Sequence, residues 1–232
     1  MSRFFIVALI CLVFRADLFA GTVKVAELQW SLCESPENVV KKLNLEEARH
    51  SVLSQSYLDT RDLQLSENKI FIRIRKNGDN FKSTLKLNFT NEKTIPDEIL
   101  NDDQADCEYD TYASLDKVGC SIKNKTNNEN SILTKKQIHF IEKIAPNISI
   151  SSLVEFGAFV YERWETNLNK NQIITFDNLV SHKGNSYYEI SVRVEKSQRQ
   201  AQFDYLNKTF LNHGVKICAE QVDRTSIAVK NL

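Results

Sequence analysis

The chain carries no surplus of either charge: 30 Lys and Arg stand against 30 Asp and Glu in 232 residues. That balance argues against gripping a nucleic-acid backbone by bulk electrostatics, which needs spare cations, so anion binding has to come from local clusters. Long hydrophobic runs are also missing. The apolar stretch from Phe4 to Phe14 falls well short of the roughly 20 residues a membrane-spanning helix requires. No Cys-x-x-Cys element occurs, which argues against a structural zinc site.

What is present begins with that short apolar stretch. Arg3 precedes it and Ala20-Gly21 follows it, the layout of a secretory signal peptide over residues 1–20. An uncleaved N-terminal anchor is the plainer alternative. The reading predicts an exported chain, secreted or periplasmic, with residues 21–232 forming one barrel-sized domain and a C-terminal helix and tail. No stable membrane insertion is expected once the signal is removed. The remainder holds Cys33, Cys107, Cys120 and Cys218. An even count in an exported chain suggests up to two disulfides, with three pairings open. The favoured set joins Cys107 to Cys120, close in sequence, and Cys33 to Cys218, with buried free thiols as the alternative.

The most informative stretch runs from Tyr57 to Leu87. With a period of two, Ile70, Ile72 and Ile74 face one way and Phe71, Arg73 and Arg75 the other. In the next run Phe81, Ser83, Leu85 and Leu87 oppose Lys82, Thr84 and Lys86. Asn77-Gly78-Asp79-Asn80 between them predicts an antiparallel hairpin with one cationic face. Taken alone, such a hairpin also fits a surface sheet whose charges face water.

Other elements follow from periodicity and caps. Thr22 to Leu32 reads as a strand with Ala26, Leu28, Trp30 and Leu32 on one face and Glu27, Gln29 and Ser31 on the other. Ser35-Pro36-Glu37 starts a short helix, expected to cap a tunnel mouth if the fold is a barrel. Asp106 to Tyr112, Ala158 to Asn167, Ile173 to Leu179 and Tyr187 to Glu195 read as strands. Asn91 to Asp103 and Lys123 to Ser131 read as loops. Thr134, with Gln137 in the capping-box position, opens a helix with an apolar stripe of Ile138, Ile141, Ile144 and Ala145. His139 points off that stripe into solvent. Ser197 to Gly214 reads as an amphipathic helix with Ala201, Phe203, Leu206, Phe210 and Leu211 available for packing. Arg224 and Lys230 in the tail are candidates to close a tunnel end or plain surface charge.

The pattern Tyr57-x-Asp59-Thr60, Leu65, Ile72-Arg73-Ile74-Arg75 and Thr84-Leu85-Lys86 resembles the CYTH family, the triphosphate tunnel enzymes that include thiamine triphosphatases and class IV adenylyl cyclases. The resemblance implies an α+β protein: an eight-stranded antiparallel β-barrel with helices packed outside and a charged interior. It implies that Arg73, Arg75, Lys82, Lys86 and Arg163 bind a triphosphate or polyphosphate anion. It further implies that Glu27, Glu108, Asp110 and Glu189 hold Mg2+ or Mn2+. Asp59 and Asp177 are expected to be structural. The chain departs from the family pattern where Gln29 and Ser31 replace an acid and a lysine after Glu27, and where Ser191 and Arg193 interrupt the acids after Glu189.

Three functions remain open on these residues. One is a metal-dependent triphosphate or polyphosphate phosphohydrolase; another is a non-catalytic phosphate-chain binder that has lost part of the metal site. The third is a structural barrel with internally paired charges. Adenylyl cyclase chemistry has the least support, since nothing in the sequence reads adenine. A homodimer has no specifying feature.

Overall fold

The computed structural model describes residues 22–45, 48–112, 115–128, 131–169 and 172–222. The expected signal peptide, residues 1–20, and the tail residues Arg224 and Lys230 lie outside the described residues. Among the described helices none is long and apolar enough to cross a membrane.

Among the described residues nine strands close into a barrel. They are β1 (Val25–Leu32), β2 (Arg49–Asp59), β3 (Ile70–Asn77), β4 (Asn80–Phe89), β5 (Ala105–Tyr112), β6 (Leu115–Thr126), β7 (Val154–Asn169), β8 (Gln172–Val180) and β9 (Ser186–Glu195). Around the barrel the order is β1-β5-β6-β4-β3-β2-β7-β8-β9, returning to β1. Eight of the contacts are antiparallel and one, β1 with β5, is parallel. The expected eight-stranded antiparallel barrel is therefore corrected to a closed nine-stranded mixed one. Closure leaves no sheet edge exposed to another chain.

The β3–β4 hairpin forms as the sequence predicts. Asn77 pairs with Asn80 across a two-residue turn, and Gly78 takes φ +57°, which a side-chain-bearing residue would adopt only under strain. The strands alternate: oil faces out and charge faces in. Ile70, Ile72 and Ile74 of β3, Leu85 and Leu87 of β4, and Val118, Cys120 and Ile122 of β6 form one outer cluster. Phe140 and Ile141 of α4 (Lys135–Ile144) cover it. That helix has its capping box, Thr134 with Gln137, and Ile141, Ile144 and Ala145 of the expected stripe pack on the cluster, joined by buried Gln137 and Phe140, while Ile138 lies outside it. Buried Gln137 donates to the Ile122 carbonyl at 2.9 Å, which satisfies its amide in the core. His139 lies at the surface, 2.9 Å from Glu98, as expected of a residue off the packed face.

A second cluster joins Ala26, Leu28 and Trp30 of β1 to β8 and β9 and to α5 (Arg199–Asn212). Trp30 lies stacked on Phe203 at 4.9 Å and edge-on to Phe210 at 5.0 Å. Phe203, Leu206 and Phe210 are buried, while Leu211 is 58% exposed and Ala201 faces solvent, so the packing face of α5 is narrower than the sequence offered. The first helix, α1 (Pro36–Lys42), buries Val39 in this outer cluster, and its residues are not among those lining the cavity.

Both disulfides form in the favoured pairing. Cys107 and Cys120 sit at directly paired positions of β5 and β6. Cys33–Cys218 ties the end of β1 to the segment after α5, where the Cys218 amide also donates to the Ser31 carbonyl at 2.9 Å. The expected loop at Lys123–Ser131 is in its first part the end of β6. The expected loop at Asn91–Asp103 contains a helical turn, α3 (Asp97–Leu100). Asp59 is structural as expected: its carboxylate accepts from the amides of Thr60, Leu65 and Ser66 and from the Ser66 hydroxyl. Those bonds pin the turn that holds α2 (Gln64–Glu67) against the barrel.

Candidate functional site

The inward faces line a cavity of about 490 Å³ in which charged side chains outnumber the others. Its size falls within the roughly 300–1,000 Å³ of small-ligand sites. Arg73, Arg75, Lys82, Lys86, Arg163, Glu27 and Glu108 all face it, so seven of the nine sequence-predicted residues line one space.

The basic part lies on β3, β4 and β6. Arg75 is held by a hydrogen bond from Nε to Gln55 Oε1 at 2.9 Å and stacks its guanidinium 3.8 Å over the Tyr161 ring. Arg73 has a buried Nε with no hydrogen-bond partner among the described residues. Lys82 is pushed down to about 8 by burial and then by the positive charges of Arg75, Arg73, Lys123 and Lys125. Burial and nearby like charges both disfavour the protonated form of an amine.

Arg163 also reaches the cavity, but Asp177 grips it in a fork: Nε to Oδ1 at 2.8 Å and a terminal nitrogen to Oδ2 at 2.9 Å. Tyr161 donates to the same Oδ1 at 2.7 Å. A bidentate pair fixes the guanidinium plane and offsets its charge, so Arg163 is a positioned rather than an unspent cation. Asp177 thereby takes the structural role expected of it.

The acidic part is built by β1 and β5 with β9 alongside. The parallel β1–β5 register sets Glu27 beside Asp110, and the antiparallel β1–β9 register sets Glu27 beside Arg193. Carboxylate oxygens of Glu27, Glu108 and Asp110 lie within 4.8 Å of one another. Glu189 is not in that group. It is buried with its Oε2 accepting from the Tyr112 hydroxyl at 3.1 Å, in a row with Asp177 and Ser31. Of the four residues the resemblance assigns to metal, the structure thus brings three together and leaves Glu189 apart.

Two cations enter the acidic cluster. Lys86 Nζ donates to Asp110 Oδ2 at 2.6 Å. Burial alone would lower the Lys86 pKa, but Asp110, Glu108 and Glu27 outweigh it and raise it. Gly119 makes room for this pair: a Cβ there would lie 2.6 Å from Lys86 Cε and 3.2 Å from Asp110 Oδ2. Arg193 sits 2.8 Å from Glu108 and 3.9 Å from both Glu27 and Asp106. Even so, burial and then the Glu27 charge push Glu108 up to about 8, so near neutrality it holds a proton that a metal would have to displace.

The donor set fits a hard divalent cation. It offers three carboxylates, and the buried Asp110 Oδ1 and Gln29 Oε1 have no hydrogen-bond partner among the described residues. Oxygen-only ligands of this kind suit Mg2+ or Mn2+.

Arg193, Lys117 and Lys123 line the cavity and were not among the sequence candidates. The signal for the lysines is the alternation of Val118, Cys120 and Ile122 with Lys117, Ser121 and Lys123, which an Asn-rich strand end obscures. Arg193 is visible in the sequence only as a break in an acidic pattern.

A family model, CYTH domain, matches residues 32–227. The chain belongs to the CYTH family. The family falls within the triphosphate tunnel metalloenzyme superfamily, whose members bind triphosphate substrates and use a divalent metal. The match starts at Leu32, beyond Glu27 and Gln29, so the first strand of the acidic part lies outside the matched span. A candidate adenylyl cyclase from Hippeastrum with a dominant triphosphatase activity is similar in fold, with TM-score 0.61 at 13% identity over 90% of this chain and 96% of that one. A candidate adenylate cyclase from Bacillus halodurans gives TM-score 0.59 at 15% identity over 88% of this chain and 98% of that one. At such identities the likeness concerns the fold. A search of curated proteins finds no match to the sequence.

Proposed function

We propose that the tunnel binds the phosphate chain of inorganic triphosphate, polyphosphate or a nucleoside triphosphate, and that with a divalent metal it hydrolyses a phosphoanhydride bond. The observation that carries this reading is the gathering of Arg73, Arg75 and Lys82 on one cavity wall, where burial and then the neighbouring cations hold Lys82 down to about 8. A cluster of neighbouring cations on one cavity suits a ligand with several negative charges along one line, which closely spaced phosphates supply.

In this reading Arg73, Arg75 and Lys82 take the chain, and Arg163, fixed by Asp177, orients it. Lys86 lies between the two parts: bonded to Asp110, it holds the acidic cluster at the end of the basic strip. Glu27, Glu108 and Asp110 would hold Mg2+ or Mn2+, which would polarise a phosphoryl oxygen and offset charge on the transferring group. Glu189, held by Tyr112, supports the wall. The mature protein is read as an exported domain released from a signal peptide, a reading that two disulfides favour.

A second reading, a phosphate-chain binder without turnover, is favoured by Gln29 and by the two cations already set in the acidic cluster. The deciding experiment is phosphate release from tripolyphosphate by residues 21–232, oxidised, with and without Mg2+ or Mn2+. Metal-dependent release that disappears in Glu108→Gln supports hydrolysis. No release, with a clear rise in Tm on adding tripolyphosphate, supports the binder. Neither release nor a rise in Tm overturns both and leaves a structural barrel.

A further inference from the structure

The acidic cluster contains a cation that cannot be titrated away. Arg193 projects from β9 onto Glu108 at 2.8 Å, with Glu27 at 3.9 Å. Its position is set by register, because Glu27 and Arg193 are direct neighbours across β1 and β9. A guanidinium remains charged at any pH the fold survives, so unlike an ammonium or a carboxyl it cannot make way for a metal by exchanging a proton. It has to move.

Of the two cations in the cluster, Arg193 is the one that can. Lys86 is wedged against Gly119 and bonded to the buried Asp110, whereas the Arg193 side chain is 52% exposed and faces the same cavity as Arg73 and Arg75. Asp110 Oδ1 and Gln29 Oε1, both buried and without a hydrogen-bond partner among the described residues, stay available for a ligand that Arg193 does not satisfy.

We propose that Arg193 is a tethered cation that stands in for the divalent metal in the metal-free cluster, and that metal entry displaces it toward the phosphate chain. The inference rests on the reading of the tunnel as a phosphate-chain site. Arg193 then makes the two ligands cooperative: a phosphate chain that accepts the guanidinium clears the carboxylates, and a metal on the carboxylates frees the guanidinium for phosphate. In the metal-free protein it also keeps the carboxylates from repelling an incoming phosphate. Arg193 is a positioning residue in this scheme until the phosphate chain takes it.

The test is Mn2+ binding followed by electron paramagnetic resonance at pH 8.5 under argon, where protons compete least for the carboxylates. It compares the oxidised protein with Arg193→Gln and Arg193→Lys. Removing one positive charge a few ångströms from the metal should tighten Mn2+ binding about tenfold or more in Arg193→Gln, and leave Arg193→Lys nearer to the parent. Equal or weaker binding by Arg193→Gln overturns the inference, as does a lack of Mn2+ binding by every protein. The second arm is tripolyphosphate binding in EDTA, which Arg193→Gln should weaken severalfold; undiminished binding overturns the displacement toward phosphate. If the parent itself shows no tripolyphosphate binding in EDTA, the reading of the tunnel fails, while the Mn2+ comparison still decides whether Arg193 competes with metal.

Discussion

The two parts of the tunnel wall differ in how their charge is offset. On the acidic part, Lys86 donates to Asp110 and Arg193 lies 2.8 Å from Glu108, so the protein sets two cations of its own among the acids. On the basic part, Lys82 lies among Arg73, Arg75, Lys123 and Lys125, and burial together with their charges lowers its pKa. The acids are thus set against cations of the protein, while on the basic part Lys123 is paired with Asp106 at 2.7 Å and Arg163 with Asp177, and Lys82 keeps basic neighbours. A chain of zero net charge can thus line one cavity with eight basic side chains against three acidic ones: the charges balance over the molecule and not within the site.

Four changes break or sharpen this contrast. The largest effect is expected from Lys86→Met, which strands the buried Asp110 carboxylate without its cation. A loss of about 3–5 kcal/mol in urea-unfolding stability is the expected cost of breaking such a pair, and a loss under 1 kcal/mol would show that the acidic part is not internally satisfied. Next, Arg73→Ala with Arg75→Ala should weaken tripolyphosphate binding at least about a hundredfold, since each charged hydrogen bond contributes about 1.5–3 kcal/mol. Calorimetry on the folded double variant checks this, and unchanged affinity would remove the basic part from the site.

Gly119→Ala comes third. Its new methyl would meet the Lys86 side chain and Asp110, so the pair must shift, at about 1–3 kcal/mol of stability. A thermal melt without ligand reads the effect. The smallest effect is a pH dependence from Lys82. In the free protein its ammonium is lost as pH rises through about 8, whereas a bound phosphate chain raises its pKa. Affinity for tripolyphosphate in EDTA should therefore be full below pH 8 and fall above it, by no more than about tenfold per pH unit for one proton. Lys82→Arg, charged throughout, should flatten the profile; a profile that stays steep would assign the titration elsewhere.

The basic part was legible in the sequence because its information is local. Two short strands and a Gly-containing turn place Arg73, Arg75, Lys82 and Lys86 on one face with no reference to the rest of the chain. The outer clusters were legible for the same reason, through the alternation in β1 and β4. The acidic part was less so. Glu27, Asp110 and Arg193 become neighbours through a parallel pairing of β1 with β5 and an antiparallel one with β9, and no local pattern encodes either. Glu189 shows the limit: its alternation was read correctly as inward-facing, yet its depth along the tunnel, which puts it on Tyr112 and away from the three other acids, depends on strand stagger. The first half of β2 was invisible because Arg49–Leu53 has no apolar alternation; the segment is a strand because β7 pairs with it.

The parallel contact between β1 and β5 also bears on how the protein is made. A hairpin such as β3–β4 closes a short loop and assembles among the first contacts, whereas β1 must wait for β5 and then for β9, near the end of the chain. During synthesis the first strand therefore emerges long before its second neighbour exists, with Trp30 and Leu28 uncovered until α5 arrives. The Cys33–Cys218 bond joins the same early strand to the segment that follows α5, and so seals the barrel last. The basic surface of β3 and β4 is consequently an early product of folding and the β1–β5 pairing of carboxylates a later one, and a chain halted before β9 would carry both without Arg193 beside Glu27.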